Sequence, residues 1–321
     1  MKKGFIIAIT LSLCITLCAC ESKAVKEAKA AYAEGNYEQV VATLSGEEIT
    51  DEEVSNILFL SEVHVAYSNA EYQKVVDMLA DYETDQTELQ EMLTVSKANV
   101  AFSDKNYYEV VTLLCENESK TECGVYADAL TILTEDALNA FDTETIVALY
   151  ETDESIGETV SEFITDACSA FNYDAFLWLD KLVEMLPDSE LKDNLSTYSA
   201  ENGKTRTKAF MKGEWKIVYD EETQDADIVT LHVHEDDAKC VGFLTQVSEY
   251  LEDFYYEPND LYWQDFIFDG NVPVTVFNLT RYSNGVTNGK ISTVELDIEA
   301  GKMYIHVTGT TRPDRIYEKV A

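Results

Sequence analysis

Basic residues are scarce in this 321-residue chain, which carries 23 Lys and Arg against 61 Asp and Glu. Nucleic-acid binding depends on Lys and Arg side chains that neutralise phosphates, so this charge balance excludes that function. Proline is also rare, with 4 residues, while hydrophobic residues make up 46% of the chain, and this composition excludes a disordered tail. The length predicts about two folded domains of ~100–200 residues each.

Motifs that carry catalysis are missing as well. The sequence has no serine elbow between glycines, no phosphate-cradling glycine loop and no glutamate-flanked histidine pair on a helix. No acidic segment has the alternating Asp/Asn spacing around a central glycine that builds a calcium loop. Carboxylates are so abundant that no pair stands out as an acid–base dyad. We therefore expect a protein that is not an enzyme and that uses no cofactor.

The N-terminus contains an apolar run, Phe5 to Leu17, that is too short to span a bilayer as a stable helix. It follows Lys2 and Lys3 and ends in Leu17-Cys18-Ala19-Cys20, as an export signal does. This ending resembles the bacterial lipobox. The resemblance implies that residues 1–20 are a lipoprotein signal peptide and that Cys20 carries a lipid such as palmitate, which holds the chain at the outer face of the cell membrane. Ordinary secretion with cleavage nearby is the alternative.

The acidity then has a consequence for the membrane. Loss of Lys2 and Lys3 with the signal leaves 21 basic and 61 acidic residues, a formal net charge of −40. Anionic lipid headgroups repel such a surface. We expect the lipid anchor, and not the protein surface, to make the membrane contact.

The first half of the chain repeats itself with a period of 35 residues. Ala31 to Tyr37 recurs as Ala66 to Tyr72 and as Ala101 to Tyr107. Each copy opens with a small and an aromatic residue and closes with a tyrosine. Apolar residues follow three, four and seven positions after that tyrosine, which places them on one face of a helix. Gly35 and Asn36 predict the end of one helix and the start of the next.

Looser copies follow around Ala140-Phe141 and Ala170-Phe171. Two helices in about 34 residues resemble the tetratricopeptide repeat, although the closing proline is missing and Val40 replaces the usual alanine. The resemblance implies an α-solenoid over residues 21–190, whose first helices line a groove for a peptide or partner protein. On the family's pattern the groove-facing residues are Lys29, Tyr32, His64, Tyr67, Asn99 and Phe102. Packing between helices is the alternative role for these side chains.

The hydrophobic pattern of the sequence changes after a polar, helical connector at residues 191–212. From Gly213 the apolar period becomes two, and eight strand-like runs separated by turn signals predict an antiparallel β domain over residues 213–321. A meander of this many strands tends to close, because closure removes exposed edges. The predicted fold is therefore α+β and multidomain: an α-solenoid of helical hairpins followed by a small antiparallel β-barrel.

The start of the β domain, Gly213-Glu214-Trp215, resembles the opening motif of lipocalin-like barrels. There the tryptophan plugs one end of the barrel, often under an arginine of the last strand, so the resemblance implies a plug of Trp215 and Arg315. Another small barrel or a sandwich is the alternative. An aromatic cluster either lines a ligand-binding mouth or fills the barrel interior, and its members are Phe254, Tyr255, Tyr256, Tyr262 and Trp263.

Histidines and cysteines offer two further candidate sites. His232, His234 and His306 could form a zinc site, but the alternation places them on the polar face of their strands, so we expect no metal. Cys115 and Cys123 flank a polar loop and are either a disulfide or a pair of free thiols.

Together these features favour a lipid-anchored, extracytoplasmic binding or scaffold protein that holds a partner protein in the groove of the helical repeats. The alternative is capture of a small apolar or sugar-like molecule by the β-barrel, with the repeats as a stalk.

Overall fold

A computed structural model describes residues 22–117, 120, 123–218, 228–234, 239–253, 255–285, 287–307 and 315–320. The predicted signal peptide and the predicted lipidation site Cys20 lie outside these residues. The chain divides into two compact units, one up to Leu133 and one from Thr134. In the described residues twelve α-helices precede a closed eight-stranded antiparallel barrel, which confirms the predicted fold class. None of the helices described is both long and apolar enough to cross a membrane.

The first unit is built of helical hairpins with a long first helix and an eight-residue second helix. The predicted tyrosines Tyr37, Tyr72 and Tyr107 each open a second helix, and Asn36 caps the first of these by accepting a bond from the amide of Gln39. The helices are α1 Lys23–Ala33, α2 Tyr37–Leu44, α3 Glu52–Ser68, α4 Tyr72–Leu79, α5 Thr87–Ser103 and α6 Tyr107–Leu114.

The turns inside these hairpins share one backbone geometry. The φ angle is 74° at Gly35, 57° at Ala70 and 61° at Lys105. In the first hairpin the amide of the next residue, Asn36, donates to the carbonyl oxygen of Ala31 at 2.9 Å. This pattern ends helices with a left-handed residue and favours glycine. The geometry therefore repeats even where the glycine does not.

The two looser copies are displaced from their predicted register. Phe141 and Phe171 have φ angles of 51° and 55°, so they occupy the turn position of Gly35. The amide of Asp142 donates to the carbonyl oxygen of Ala137, which closes the same turn. The prediction that these phenylalanines end the first helices is therefore wrong, because their small-plus-aromatic pairs coincide with the turn and not with the helix end.

The helices of the second unit lead directly into the barrel. The predicted connector forms two helices, with a break between Glu201 and Gly203. The helices that follow α6 are α7 Gly124–Asn139, α8 Thr143–Thr152, α9 Gly157–Ser169, α10 Tyr173–Met185, α11 Glu190–Glu201 and α12 Gly203–Met211, and a short 3₁₀ turn, Glu154–Ile156, precedes α9. The division between the two compact units falls within α7.

The barrel is an up-and-down meander in which every strand pairs with its neighbour in sequence. Closure comes from the pairing of the last strand with the first, which places Lys319 opposite Trp215. A four-residue helix, α13 Glu249–Glu252, follows β3. The strands are β1 Gly213–Val218, β2 Ile228–Val233, β3 Cys240–Gln246, β4 Leu261–Asp269, β5 Val272–Arg281, β6 Thr287–Asp297, β7 Lys302–Val307 and β8 Arg315–Lys319.

On the outer wall of the barrel, a ring lies in close contact with a glycine. A Cβ atom at Gly289 in β6 would lie 2.1 Å from Cε1 of Phe277 on the neighbouring strand β5. The ring thus covers backbone that a larger residue would occupy, and it is itself 37% exposed.

Candidate functional site

Three of the six predicted groove residues link consecutive hairpins. The Nζ of Lys29 lies 3.0 Å from Oε2 of Glu53, and Nδ1 of His64 lies 4.0 Å from Oε1 of Glu88. Asn99 contacts the Sγ of Cys123 at 3.8 Å. In each case the partner is 24 residues further along the chain, at or beside the start of the next hairpin. We call Lys29, His64 and Asn99 the linking positions.

His64 is the most enclosed of the linking positions. Its side chain is buried, and its ring stacks on Tyr37 with centroids 3.9 Å apart and planes inclined by 12°. Burial lowers the pKa of His64 below 6.5, and the nearby Glu88 opposes that shift. The prediction that His64 faces an open groove is therefore wrong, because the stack of hairpins covers it.

The other three predicted groove residues form a ladder of half-buried rings, Tyr32, Tyr67 and Phe102. Each ring meets the tyrosine that opens the second helix of its own hairpin, with its edge toward that ring and centroids 5.8, 6.1 and 5.5 Å apart in that order. Such edge-to-face pairs stabilise by ~0.5–1.5 kcal/mol beyond the burial of area. The ladder therefore contributes to packing while part of each ring stays exposed.

The pKa values of the ladder tyrosines indicate what else lies near them. Burial raises the pKa of Tyr32 first, and the charges of Tyr37, Tyr82 and Glu88 raise it further. Burial likewise raises the pKa of Tyr67. Tyr82 and Glu88 both follow the second hairpin in sequence, so Tyr32 lies near residues well beyond its own hairpin.

The barrel interior is filled with side chains. Trp215, Tyr262, Trp263 and Tyr317 are each at most 2% exposed and belong to one core cluster. Of the predicted aromatic cluster, Tyr256 is also buried, Tyr255 is 55% exposed and Phe254 lies outside the described residues. Three of its four described members therefore fill the barrel, as the packing alternative requires.

The base of the barrel is closed by the helix that precedes it. The indole Nε1 of Trp215 donates to the carbonyl oxygen of Met211 at 2.8 Å, and Phe210 and Met211 belong to the barrel core. The Nζ of Lys319 lies 4.5 Å from the ring centroid of Phe210 and 5.9 Å from that of Trp215. The same ammonium donates to the carbonyl oxygen of Phe210, at the negative end of α12.

The predicted plug of Trp215 under Arg315 is therefore wrong in its second member. The register places Lys319 opposite Trp215, whereas Arg315 lies four residues away along β8, or about 13 Å at ~3.3 Å per residue. Arg315 donates instead to the hydroxyl of Tyr262 and lies over its ring, 5.6 Å from the centroid. Both cations share a strand face, but the strand register decides which one covers the tryptophan.

A cleft of about 790 Å³ opens beside this base, near the start of α10. Asp174, Lys212 and Lys319 lie on its walls together with Tyr173. Burial lowers the pKa of Lys319, and Asp174 opposes the shift. Two lysines and one aspartate thus line this cleft, and Asp174 already offsets part of the positive charge of Lys319.

Comparison of the chain with protein-family models, curated proteins and solved structures finds no match in any of the three.

The predicted cysteine pair is not bridged. Cys115 and Cys123 are free thiols, and each has a contact of its own. The Sγ of Cys115 donates to the carbonyl oxygen of Thr112, while Cys123 accepts a bond from Asn99. The disulfide alternative is therefore wrong in this structure, since each thiol is directed to a neighbour within the helical array.

The three strand histidines lie on the outside of the barrel, as the alternation predicts. His232 and His234 are exposed, and the His306 side chain is 38% exposed with its Nε2 3.9 Å from Oε2 of Glu295. On the apolar face, Val229 and Met303 are fully buried. The part of the chain that the structure describes contains no group of three His, Cys, Asp or Glu side chains that could hold a metal ion.

Sequence reasoning missed Lys319 and the role of α12 at the barrel base. The alternation of β8 could have placed Lys319 on the inner face with Tyr317. The contact of Trp215 with Met211 had no sequence signal, because it depends on how α12 turns into β1.

Proposed function

We propose that this chain is a lipid-anchored binding protein at the outer face of a bacterial membrane, and that its helical array holds a partner protein. The observation that carries the proposal is the ladder of Tyr32, Tyr67 and Phe102. These rings occupy equivalent positions in three consecutive hairpins and stay partly exposed after packing. Exposed aromatic side chains at regular intervals are common anchors in protein interfaces.

The filled barrel supports the same choice. Capture of a small molecule inside the barrel requires room that Trp215, Trp263 and their neighbours occupy. The barrel then serves as a packed body attached to the array. The lipid anchor at Cys20 would keep the array close to partners in or on the membrane.

Site-specific photocrosslinking in cells tests the partner-binding role. The full chain carries p-benzoylphenylalanine at Tyr32, Tyr67 or Phe102, and a control carries it at Phe277 on the outer barrel wall, which is at least as accessible as the half-buried ladder rings. We expect the same protein to be captured from at least two ladder positions and not from Phe277. Absence of an adduct at all three ladder positions, or the same adduct from Phe277, would refute the proposal.

The anchor has a separate test. We expect Cys20→Ser to abolish incorporation of labelled palmitate and to release the chain from the membrane fraction. A variant that stays acylated, or a wild type that incorporates no palmitate, contradicts the lipoprotein interpretation without bearing on the array.

A further inference from the structure

A shallow cavity of about 470 Å³, open to solvent, lies in the first unit, where the N-terminus of α3 meets the segment after α4. Its size is within the range of small-molecule sites, ~300–1,000 Å³. It has an aromatic wall and an acidic rim, and the residues that matter are Asp51, Glu52, Ser55, Asn56, Phe59 and Tyr82.

The aromatic wall consists of Phe59 and Tyr82. Their ring centroids are 5.0 Å apart with planes inclined by 32°. The hydroxyl of Tyr82 donates to Oδ1 of Asn56 at 3.1 Å, which fixes the second ring beside the first. A pair of rings held in this way offers a π surface to a cation.

The rim carries more negative charge than capping the N-terminus of α3 requires. Asp51 caps α3 with a single oxygen, Oδ1, which accepts bonds from the amides of Glu53 and Val54. Glu53 pairs with Lys29, and Glu52 is exposed at the mouth of the cavity. The carboxylates of Asp51 and Glu52 therefore outweigh the positive end of the helix dipole.

The aromatic wall departs from the repeat that surrounds it. In the next copy, 35 residues on, Thr94 and Asn117 take the places of Phe59 and Tyr82. There Gln90 folds back and donates its side-chain amide to the carbonyl oxygen of Thr84 at 2.9 Å. The hairpin fold thus does not require rings at these positions, and the second hairpin places them on a cavity.

We propose that this cavity binds an organic cation, an ammonium or guanidinium group, between the rings of Phe59 and Tyr82 and the carboxylates of Asp51 and Glu52. A cation over an aromatic face and beside a carboxylate recovers much of the hydration that it loses. The strongly acidic chain raises the local concentration of such ligands. The cation can come from a basic side chain of a protein or from a free amine, and the inference does not depend on the proposed function.

Titration of the full mature chain, followed by backbone NMR shifts, tests the site. The probes are Nα-acetyl-lysine methylamide, its uncharged isostere Nα-acetyl-norleucine methylamide, and 1,4-diaminobutane. We expect the two amines, but not the norleucine derivative, to shift resonances of residues 50–59 and Tyr82. Because the diamine carries two charges, the source is decided with the singly charged 1-aminobutane: tighter binding of 1-aminobutane than of the lysine derivative would identify a free amine, and the reverse order a basic side chain.

Matched variants separate the cavity from general electrostatic attraction. Asp51→Asn with Glu52→Gln keeps the helix cap, since Asn caps as well as Asp, and should weaken amine binding at least fivefold. Glu34→Gln with Glu38→Gln removes the same charge from exposed positions and should leave binding within twofold. Phe59→Thr with Tyr82→Asn installs the side chains of the next copy, and this double variant should abolish amine binding. Equal weakening by both charge variants, or equal shifts with the norleucine derivative, would overturn the proposal.

Discussion

The left-handed turn residues of the hairpins make a prediction whose sign is unusual. Ala70 and Lys105 are exposed residues with φ angles of 57° and 61°, at the turn that Gly35 occupies in the first hairpin. A residue with a Cβ atom loses ~1–2 kcal/mol in this conformation. Glycine avoids that loss but costs ~0.5–1 kcal/mol through its greater freedom in the unfolded chain. We therefore expect Ala70→Gly and Lys105→Gly each to stabilise the first unit by about 0.5–1 kcal/mol.

The assay can isolate the first unit, because Trp178, Trp215 and Trp263 all belong to the second unit. Helical circular dichroism reports on both units, whereas tryptophan fluorescence reports on the second. We expect each glycine variant to raise the midpoint of the dichroism transition of the first unit by about 2–6 °C and to leave the fluorescence transition unchanged.

Two controls fix the sign of this effect. Ala30 is exposed within α1, and Ala30→Gly should destabilise the first unit by about 0.5–1 kcal/mol. Gly35→Ala should destabilise it similarly, although a Cβ atom there meets no described atom within 4 Å. If Ala70→Gly lowered the midpoint as Ala30→Gly does, the left-handed turn would not form in solution and the reasoning would fail.

Three further predictions follow from single side chains. Burial lowers the pKa of His64, so the unfolded chain takes up a proton before the folded chain does as the pH falls. The free energy of unfolding should therefore decline from pH 7 through the unfolded pKa of 6.5 toward the lower folded pKa. In urea titrations between pH 7 and 5, His64→Gln should flatten that decline. Burial raises the pKa of Cys168 to about 12 and that of Cys240 to about 11, and it also raises the pKa of the half-buried Cys123. Iodoacetamide should therefore label Cys115 readily and Cys123 more slowly in the native chain, and reach Cys168 and Cys240 only in denaturant; native labelling of Cys240 would contradict the packed barrel. Gly289→Ala should destabilise the barrel by about 1–3 kcal/mol in fluorescence-detected unfolding, and Phe277→Ala should restore much of that loss in the double variant; strictly additive losses would mean that the ring does not cover the glycine.

The barrel and the first hairpins were predictable because their signals are local. Alternation over a few residues, with a turn signal at each end, marks a strand wherever it later pairs, and all eight predicted strands are present. Equal spacing of Ala31, Ala66 and Ala101 likewise marks three equivalent helix ends. The same pattern misplaced the helix ends of the two later hairpins. There Phe141 and Phe171 complete a small-plus-aromatic pair, but they lie at the left-handed turn position that favours glycine.

The site residues were less predictable because their environments depend on elements far apart in sequence. The helical period places His64 on one face of α3, but it cannot reveal that Tyr37 and Glu88 cover that face. The choice between Arg315 and Lys319 as the neighbour of Trp215 depends on the register of the first strand against the last. The separation of Cys115 and Cys123 in sequence gives no information on where their thiols are directed.

The hydrogen bond from Trp215 to Met211 limits where this chain can be truncated or joined to another domain. A fragment that starts at Gly213, where the sequence changes character, would lose Phe210 and Met211 and leave the indole at a wet, open end. A fragment that keeps this end of the barrel covered includes at least α12, which supplies Phe210 and Met211. Gene fusions or domain exchanges that cut at the start of β1 would therefore separate the barrel from the helix that covers its end.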